Sequence, residues 1–298
     1  MDENYDVVVV GGGAAGLSAA VALSRALRSV LVVDAGEPRN APADGVHNYL
    51  GREGIAPAEL AAAGRAELAG YGGQLVTGTV VSAAREGAWF DVRLADGGRT
   101  KARRLLVATG LVDELPDIPG LAERWGSTVL HCPYCHGWEV RGQAIGVLGG
   151  NELAVHKALL WRQWSPDTTL FLHTGPAPSD EDRKKLAKRG IAVVEGEVTA
   201  VEEGGIRLAS GELVPCEALA VTPRFAARSE LLSSLGLEPV DGLMGSAVPA
   251  EPGGATSVPG VWVAGNVTDL AATVMVSAAA GLQAAGMINM DLIEEEAR

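Results

Sequence analysis

The sequence predicts an α/β protein of two three-layer units, the second inserted in the first, and three stretches predict it. "YDVVVVGGGAAGLSAAVALSRALRSVLVVDAGEPRN" reads as strand, tight glycine turn, helix and strand. "QAIGVLGGNELAVHKALLW" followed by "TTLFLHTG" repeats that plan about one domain later. "GVWVAGNVTDLAATVMVSAAAGLQAAGMINMDL" adds a strand, a Gly-Asn turn and a long Ala-rich helix, whose natural place is back in the first unit.

Composition bounds the reading. The 298 residues suffice for two domains of ordinary size, and 47% hydrophobic with 20% charged residues is a globular balance. A net charge of −13 argues against nucleic acid or an anionic membrane surface as partner, because either needs a cationic face. The opening "MDENYD" is acidic where a secretory signal is basic. The apolar run from Val7 to Leu23 is shorter than a membrane span and is broken by four glycines. A cytoplasmic location is expected, and three cysteines fit a reducing compartment.

The first strand is Val7 to Val10, the helix starts near Ala14, and the second strand is Val30 to Val33. Gly11, Gly13 and Gly16 form G-x-G-x-x-G, and Asp34 follows Gly11 by 23 residues. Gly11 permits the tight turn, Gly13 lets backbone approach a pyrophosphate, and Gly16 allows helix and strand to pack closely. The helix N-terminus faces the phosphate charge, and Asp34 is suited to accept hydrogen bonds from ribose hydroxyls. Both units are therefore expected to be Rossmann-like. Between them, "GQLVTGTVVSAAREGAWFDVRLADGGRTKARRLLVATG" reads as an antiparallel meander ending at Thr109 and Gly110. The expected boundaries are 1–112 with 244–298 for the first domain and 113–243 for the second.

"HCPYCHGWE", His131 to Glu139, raises the chemical question. C-x-x-C-H fits haem attachment, half of a zinc site, or a dithiol that makes and breaks a disulfide. A cytoplasmic setting disfavours haem attachment. Zinc needs four ligands, and beyond this block only Cys216 and the scattered His47, His156 and His173 remain, so no metal is expected. The redox dithiol is the favoured reading. Pro133 suits a first helical turn, placing Cys132 at a helix N-terminus where thiolate is stabilised. Substrate thiols need a base that titrates near neutrality, the role assigned to His136. Trp138 lines a substrate pocket or packs in the core, and Cys216 reads as a small buried hydrophobe.

Two such folds, one inside the other, with C-x-x-C just ahead of the inserted glycine turn, resemble the low-molecular-weight thioredoxin reductases over nearly the whole chain. The resemblance implies non-covalent FAD held by the first domain at Gly11, Gly13, Gly16 and Asp34. It adds Arg39, Asn40, His47 and Asn48 of "EPRNAPADGVHNYLG", a backbone contact near Val81, Thr109, and Gly265, Asn266 and Val274 in and after "GVWVAGN". It also implies a homodimer, with Cys132 as the exchanging sulfur and Cys135 the one against the flavin.

The departures from that family carry information. His136 stands where the reductases have Asp, and Asn266 where they have an Asp that bonds the ribityl chain, a bond an amide oxygen still accepts. Thr273, Val274 and Met275 replace Arg-Gln-Ala in the flavin-facing helix and leave a more apolar wall. In the second glycine turn Asn151 crowds the place where a pyrophosphate must approach. Thr174 and Gly175 replace the His-Arg-Arg that grips the 2′-phosphate of NADPH, and Thr222 and Pro223 replace a later glycine turn. FAD is expected and the NADPH grip is not.

The block "CPYCHGWE" itself resembles the FAD-dependent dithiol oxidases of the gliotoxin and holomycin type. That implies closure of a disulfide within a small-molecule dithiol: one substrate thiolate attacks Cys132 and releases Cys135, and the second thiol then frees Cys132. Electrons pass by way of the cysteine pair and FAD to oxygen, giving hydrogen peroxide. Two other activities stay open, an NADPH-dependent thioredoxin reductase and a redox-sensing flavoprotein that binds a partner without turnover.

Overall fold

An unbroken valine run suits a parallel strand covered on both faces. In the computed structural model, which describes residues 4–228 and 230–298, that run lies at the centre of a sheet. β1 (Asn4–Val10) leads through the glycine turn into α1 (Ala14–Arg25), and β2 (Val30–Asp34) lies parallel to β1 with Val7 opposite Val30. α2 (Pro57–Gly70) begins with a proline, whose missing N–H is harmless in a first turn. It delivers β3 (Gln74–Thr77) to the far side of β2. β4 (Val80–Glu86), β5 (Trp89–Leu94) and β6 (Arg99–Val107) then form an antiparallel meander, and β6 returns parallel to β1. β7 (Leu111–Glu114) carries the chain onward.

The inserted part holds β8 (Val129–Leu130), α3 (Pro133–His136), β9 (Ile145–Leu148), α4 (Ala154–Trp161) and β10 (Thr168–Phe171). α5 (Asp180–Lys188) starts where the Ser179 hydroxyl accepts from the Asp182 amide at 3.1 Å. β11 (Ala192–Val194), β12 (Val198–Glu202), β13 (Gly205–Leu208), β14 (Leu213–Pro215) and β15 (Ala218–Ala220) complete it. Its main sheet is parallel in the order β11-β10-β9-β15-β8, and β12-β13-β14 form an antiparallel sheet.

The return segment contributes β16 (Arg224–Ala227), α6 (Glu230–Ser234), β17 (Val240–Gly242), β18 (Gly245–Ala247), β19 (Val261–Val263) and α7 (Val274–Glu296). β19 pairs in parallel with the second half of β6, Val261 opposite Leu105 and Val263 opposite Val107, while the first half of β6 pairs with β5. The two units are residues up to Asp113 with Phe225–Arg298, and Glu114–Arg224. The chain thus re-enters the first unit at Phe225 and not near Met244, because Leu231, Leu232 and Leu237 are buried in one core with Val8, Phe90 and Val92.

Strand alternation explains the layers. Val8 and Val10 of β1 point into a core shared with the meander and α6. Val7 and Val9 point to the other face, onto Leu17, Ala20 and Leu23 of α1 and Ala284 and Ile288 of α7. In the second unit Ile145 and Val147 pack on α4, and Leu148 faces a core with Leu121 and Val198. Among the described residues no helix is long and apolar enough to cross a membrane.

Candidate active site

The first glycine turn is built from three different constraints. Gly11 has φ +105°, and a Cβ on it would strike the Ala108 carbonyl of the neighbouring strand. At Gly16 a Cβ would collide with the Gly11 carbonyl oxygen, so α1 lies directly on the turn. At Gly13 a Cβ would meet nothing within 4 Å: the backbone there faces open space at the N-terminus of a 12-residue helix. The Gly12 amide donates to Oδ1 of Asp34 at 3.0 Å, which fixes the carboxylate beside the turn. An open backbone cradle, a helix N-terminus and an acid at the end of β2 fit a dinucleotide's pyrophosphate and ribose.

Thr109 and Gly265 lie close to this turn. The Ala108 amide donates to Val10 O at 2.8 Å and the Ala264 amide to Val107 O at 3.1 Å, so the carboxyl ends of β1, β6 and β19 converge. The Thr109 hydroxyl donates to Arg228 O at 3.1 Å. Gly265, at φ +78°, sits against Ala15 of α1. Asn266 donates from Nδ2 to Asp269 O and Ala272 O, both at 2.9 Å, and its Oδ1 accepts from Nη1 of Arg39 at 3.3 Å. A carboxylate could not make those two donations, which gives the asparagine a structural reason. Val274 is the first residue of α7, whose N-cap is Thr273.

Arg39 binds Asp113 with both arms, Nε to Oδ2 at 2.7 Å and Nη2 to Oδ1 at 2.6 Å, and its guanidinium lies 5.1 Å from the Phe225 ring centroid. The structure thus turns Arg39 toward the two chain crossings. Asn40 accepts a turn bond from the Ala43 amide. His47 and Asn48 form a knot of their own: Glu53 meets Nδ1 of His47 at 2.7 Å and accepts from the Asn48 amide at 2.8 Å, with Asn48 at φ +59°. Val81 stands where the register of β4 on β5 shifts, which takes its backbone out of the regular ladder.

In the second unit, Cys132 is the N-cap of α3 and Pro133 its first residue. The amides of Cys135 and His136 donate to Cys132 O at 3.1 Å each, closing the turn that brings the two sulfurs together. The Cys132 thiol is pulled down to about 6. The largest cause is a hydrogen bond from the Cys135 thiol; burial opposes it, and the amides of Cys135 and Tyr134 and the Lys157 charge add to it. Those amides point at the sulfur without closing a formal capping bond. Cys132 is therefore the sulfur biased toward thiolate, with the Cys135 thiol as its hydrogen-bond donor, the arrangement thiol–disulfide exchange requires. His136 ends the same helix, half-buried. Beneath it the Trp164 ring packs so closely on Gly137 that a Cβ there would strike it, and Tyr134 meets Trp164 edge-on at 5.5 Å. Trp138 is exposed and stacks with Arg141 at 4.0 Å. Cys216 is buried, its thiol pushed up to about 11 mainly by that burial.

The second glycine turn differs from the first. Asn151 folds its Oδ1 back onto the Leu153 amide at 2.9 Å. The cleft beside it, about 260 Å³, is lined by Asn151, Gly175, Ser179 and the carboxylates of Glu152 and Asp182, and among the described residues by no lysine or arginine. Thr174 is exposed, and His173, at φ +50°, uses Nδ1 to accept from the Val198 amide at 3.0 Å. Among the described residues no group of three His, Cys, Asp or Glu could hold a metal ion.

Two residues near the cysteines escape sequence reasoning. Lys157 of α4 puts its Nζ 3.4 Å from Nδ1 of His131, and its charge acts on Cys132. His131 stood in the quoted block; Lys157 lies 25 residues beyond Cys132 and reaches it only through the folding of the sheet. A basic residue on a helix that follows a glycine turn was the available signal.

Residues 5–284 match the family described as pyridine nucleotide-disulphide oxidoreductase. The thioredoxin reductase tcpT of Claviceps purpurea is 34% identical over 283 residues, covering 88% of this chain and 86% of that protein. The thioredoxin reductase sirT of Leptosphaeria maculans is 30% identical over 311 residues, covering 97% and 94%. The crystal structure of HlmI matches with a TM-score of 0.92 at 47% identity, covering 100% of this chain and 95% of that one. An open first glycine turn and an activated C-x-x-C agree with these likenesses. The chain therefore belongs to the pyridine nucleotide-disulphide oxidoreductases, as a thioredoxin reductase-like disulfide oxidoreductase whose family implies a bound flavin.

Proposed function

We propose that the protein is an FAD-dependent oxidase of a small-molecule dithiol, closing a disulfide within its substrate and passing the electrons to oxygen. One observation carries the choice of electron acceptor: among the described residues the cleft at the second glycine turn offers two carboxylates and no cation, where the 2′-phosphate of NADPH needs a guanidinium or ammonium. The first glycine turn keeps an open cradle, so Gly11, Gly13, Gly16 and Asp34 would hold FAD. When bound, the flavin accepts two electrons from a dithiol and delivers them to oxygen.

The chain's own residues do the rest. Cys132 exchanges with the substrate sulfur, and Cys135 donates a proton to steady it as thiolate. His136, on the same short helix, takes the substrate thiol proton. The likeness to relatives named thioredoxin reductase supports a second reading, NADPH-dependent reduction of thioredoxin. A homodimer remains part of the proposal.

One experiment separates the two. Purified enzyme with a reduced small dithiol in air is expected to consume oxygen and release one peroxide per disulfide. NADPH under anaerobic conditions is expected to leave the flavin yellow. Rapid bleaching by NADPH, with turnover of thioredoxin and no peroxide from any dithiol, would replace the first reading by the second.

A further inference from the structure

Lys157 stands on α4, whose Ala154, Ala158 and Trp161 are packed into the core of the second unit. Its Nζ lies 3.4 Å from Nδ1 of His131, and that same ring nitrogen lies 3.2 Å from the carbonyl oxygen of Val221. His131 directly precedes Cys132. Among the described residues no carboxylate acts on Lys157; burial pulls its ammonium down to about 8, and the Cys132 sulfur is the group that pulls it up.

The geometry around His131 has a chemical consequence. A ring nitrogen cannot donate to a carbonyl and accept from an ammonium at once. With Lys157 as an ammonium, one of the two contacts is unmet. With Lys157 as an amine, the Nδ1–H serves the carbonyl and faces the amine lone pair together. The site therefore accommodates both forms of the lysine, and the neighbouring sulfur selects between them. A thiolate at Cys132 favours the ammonium; a Cys132 held in a disulfide removes the anion, and burial with the His131 N–H then favours the amine. His131 and Cys132 are the titratable groups that act on Lys157 among the described residues, and Cys135 acts on it through Cys132.

We infer that Lys157 is the proton-holding counter-ion of Cys132, a positioning residue that is an ammonium while Cys132 is a thiolate and gives up its proton when Cys132 and Cys135 join. The inference rests on the dithiol chemistry proposed above, and its balance closes on the chain's own groups. A substrate dithiol loses two electrons and two protons as its sulfurs join, and the protein S–S bond takes both electrons as it breaks. One proton, taken first by His136 and handed on, ends on Cys135, whose thiol donates to the Cys132 sulfur. The other ends on Lys157, and Cys132 is left as thiolate.

The test uses flavin-loaded enzyme. In a Cys135→Ser background, Cys132 is the reactive sulfur, since Cys216 is buried and its thiol is pushed up to about 11. Iodoacetamide alkylation is followed against pH. Lys157→Met is expected to raise the midpoint by about one unit, slowing alkylation roughly tenfold below it, and Lys157→Arg to leave it in place. Lys157→Gln substitutes if the methionine variant does not fold. An unmoved midpoint in the neutral variant overturns the counter-ion role. With both cysteines present, reduction of the protein disulfide by dithiothreitol is expected to be several-fold slower in Lys157→Arg, which keeps the charge and cannot take up a proton. Equal rates overturn the proton-holding role. A shifted alkylation midpoint in an enzyme that releases no peroxide from any dithiol removes the proposed oxidase and keeps the counter-ion; peroxide turnover with an unshifted midpoint does the reverse.

Discussion

Replacing Gly13 and Gly16 each by alanine separates binding of the dinucleotide from stability of the fold. At Gly13 the new methyl meets no protein atom within 4 Å, and the backbone, at φ −75°, suits alanine. Alanine restricts the unfolded chain, a gain of about 0.4–1 kcal/mol, and is a poorer N-cap than glycine by a similar amount. The apoprotein should therefore keep its stability to within about 1 kcal/mol. The methyl does fill the open cradle, so FAD should bind at least tenfold more weakly, about 1.4 kcal/mol. At Gly16 the methyl lies far inside contact distance of the Gly11 carbonyl oxygen, with Val9 Cγ1 at 3.2 Å behind it. α1 must then lift off β1, an overpacking cost of about 1–3 kcal/mol, and the apoprotein itself should lose stability. Urea unfolding of both apoproteins and FAD titration by flavin fluorescence measure the two effects. Wild-type FAD affinity in Gly13→Ala would refute the assignment of the pyrophosphate to this cradle.

Cys132→Ser and Cys135→Ser are each expected to abolish flavin reduction by dithiols under anaerobic conditions; full turnover by either would remove the proposed dithiol chemistry. His136→Ala should slow substrate oxidation most near neutral pH, and a pH–rate profile of wild-type shape would leave His136 a structural role only. Asp91 is buried while Arg93 and Arg99, which grip it at 3.0 and 2.8 Å, are more than half exposed, so Asp91→Asn should cost about 1–2 kcal/mol, below the figure for a fully buried pair. The Arg99 hydrogen bond holds this carboxyl below its ordinary value of 3.8 against the opposing effect of burial, and Arg93 adds to it. Its stabilisation is then complete above that value and lost as pH falls through the lowered one. Acid unfolding of wild type and variant should accordingly converge at low pH, and curves that stay parallel would refute the sign.

What the sequence made legible was local. Gly11, Gly13 and Gly16 could be read because a tight turn, a close phosphate and a close helix each demand glycine within six residues of chain. Cys132 with Pro133 was readable for the same reason, since a cap and its helix are neighbours. Lys157 was not, because the sheet brings α4 to His131 and no spacing encodes that. The true re-entry at Phe225 was missed because β16, β17 and β18 are three or four residues long, too short to show a period. The two amide bonds from Asn266 explain after the fact a substitution that sequence could record only as a departure.

The shared edge of β6 bears on how the chain is made. Leu105, Leu106 and Val107 pair with Val8 to Val10 of β1 on one side and gain their second partners only when Val261 to Val263 have been synthesised, and Arg39 waits still longer for Asn266. On the ribosome the inserted domain has all its strands first, while its host carries an apolar strand with one side unmatched. A polypeptide released before residue 261 therefore exposes a ready template for pairing with its own kind, and insoluble aggregate is the expected fate of such fragments.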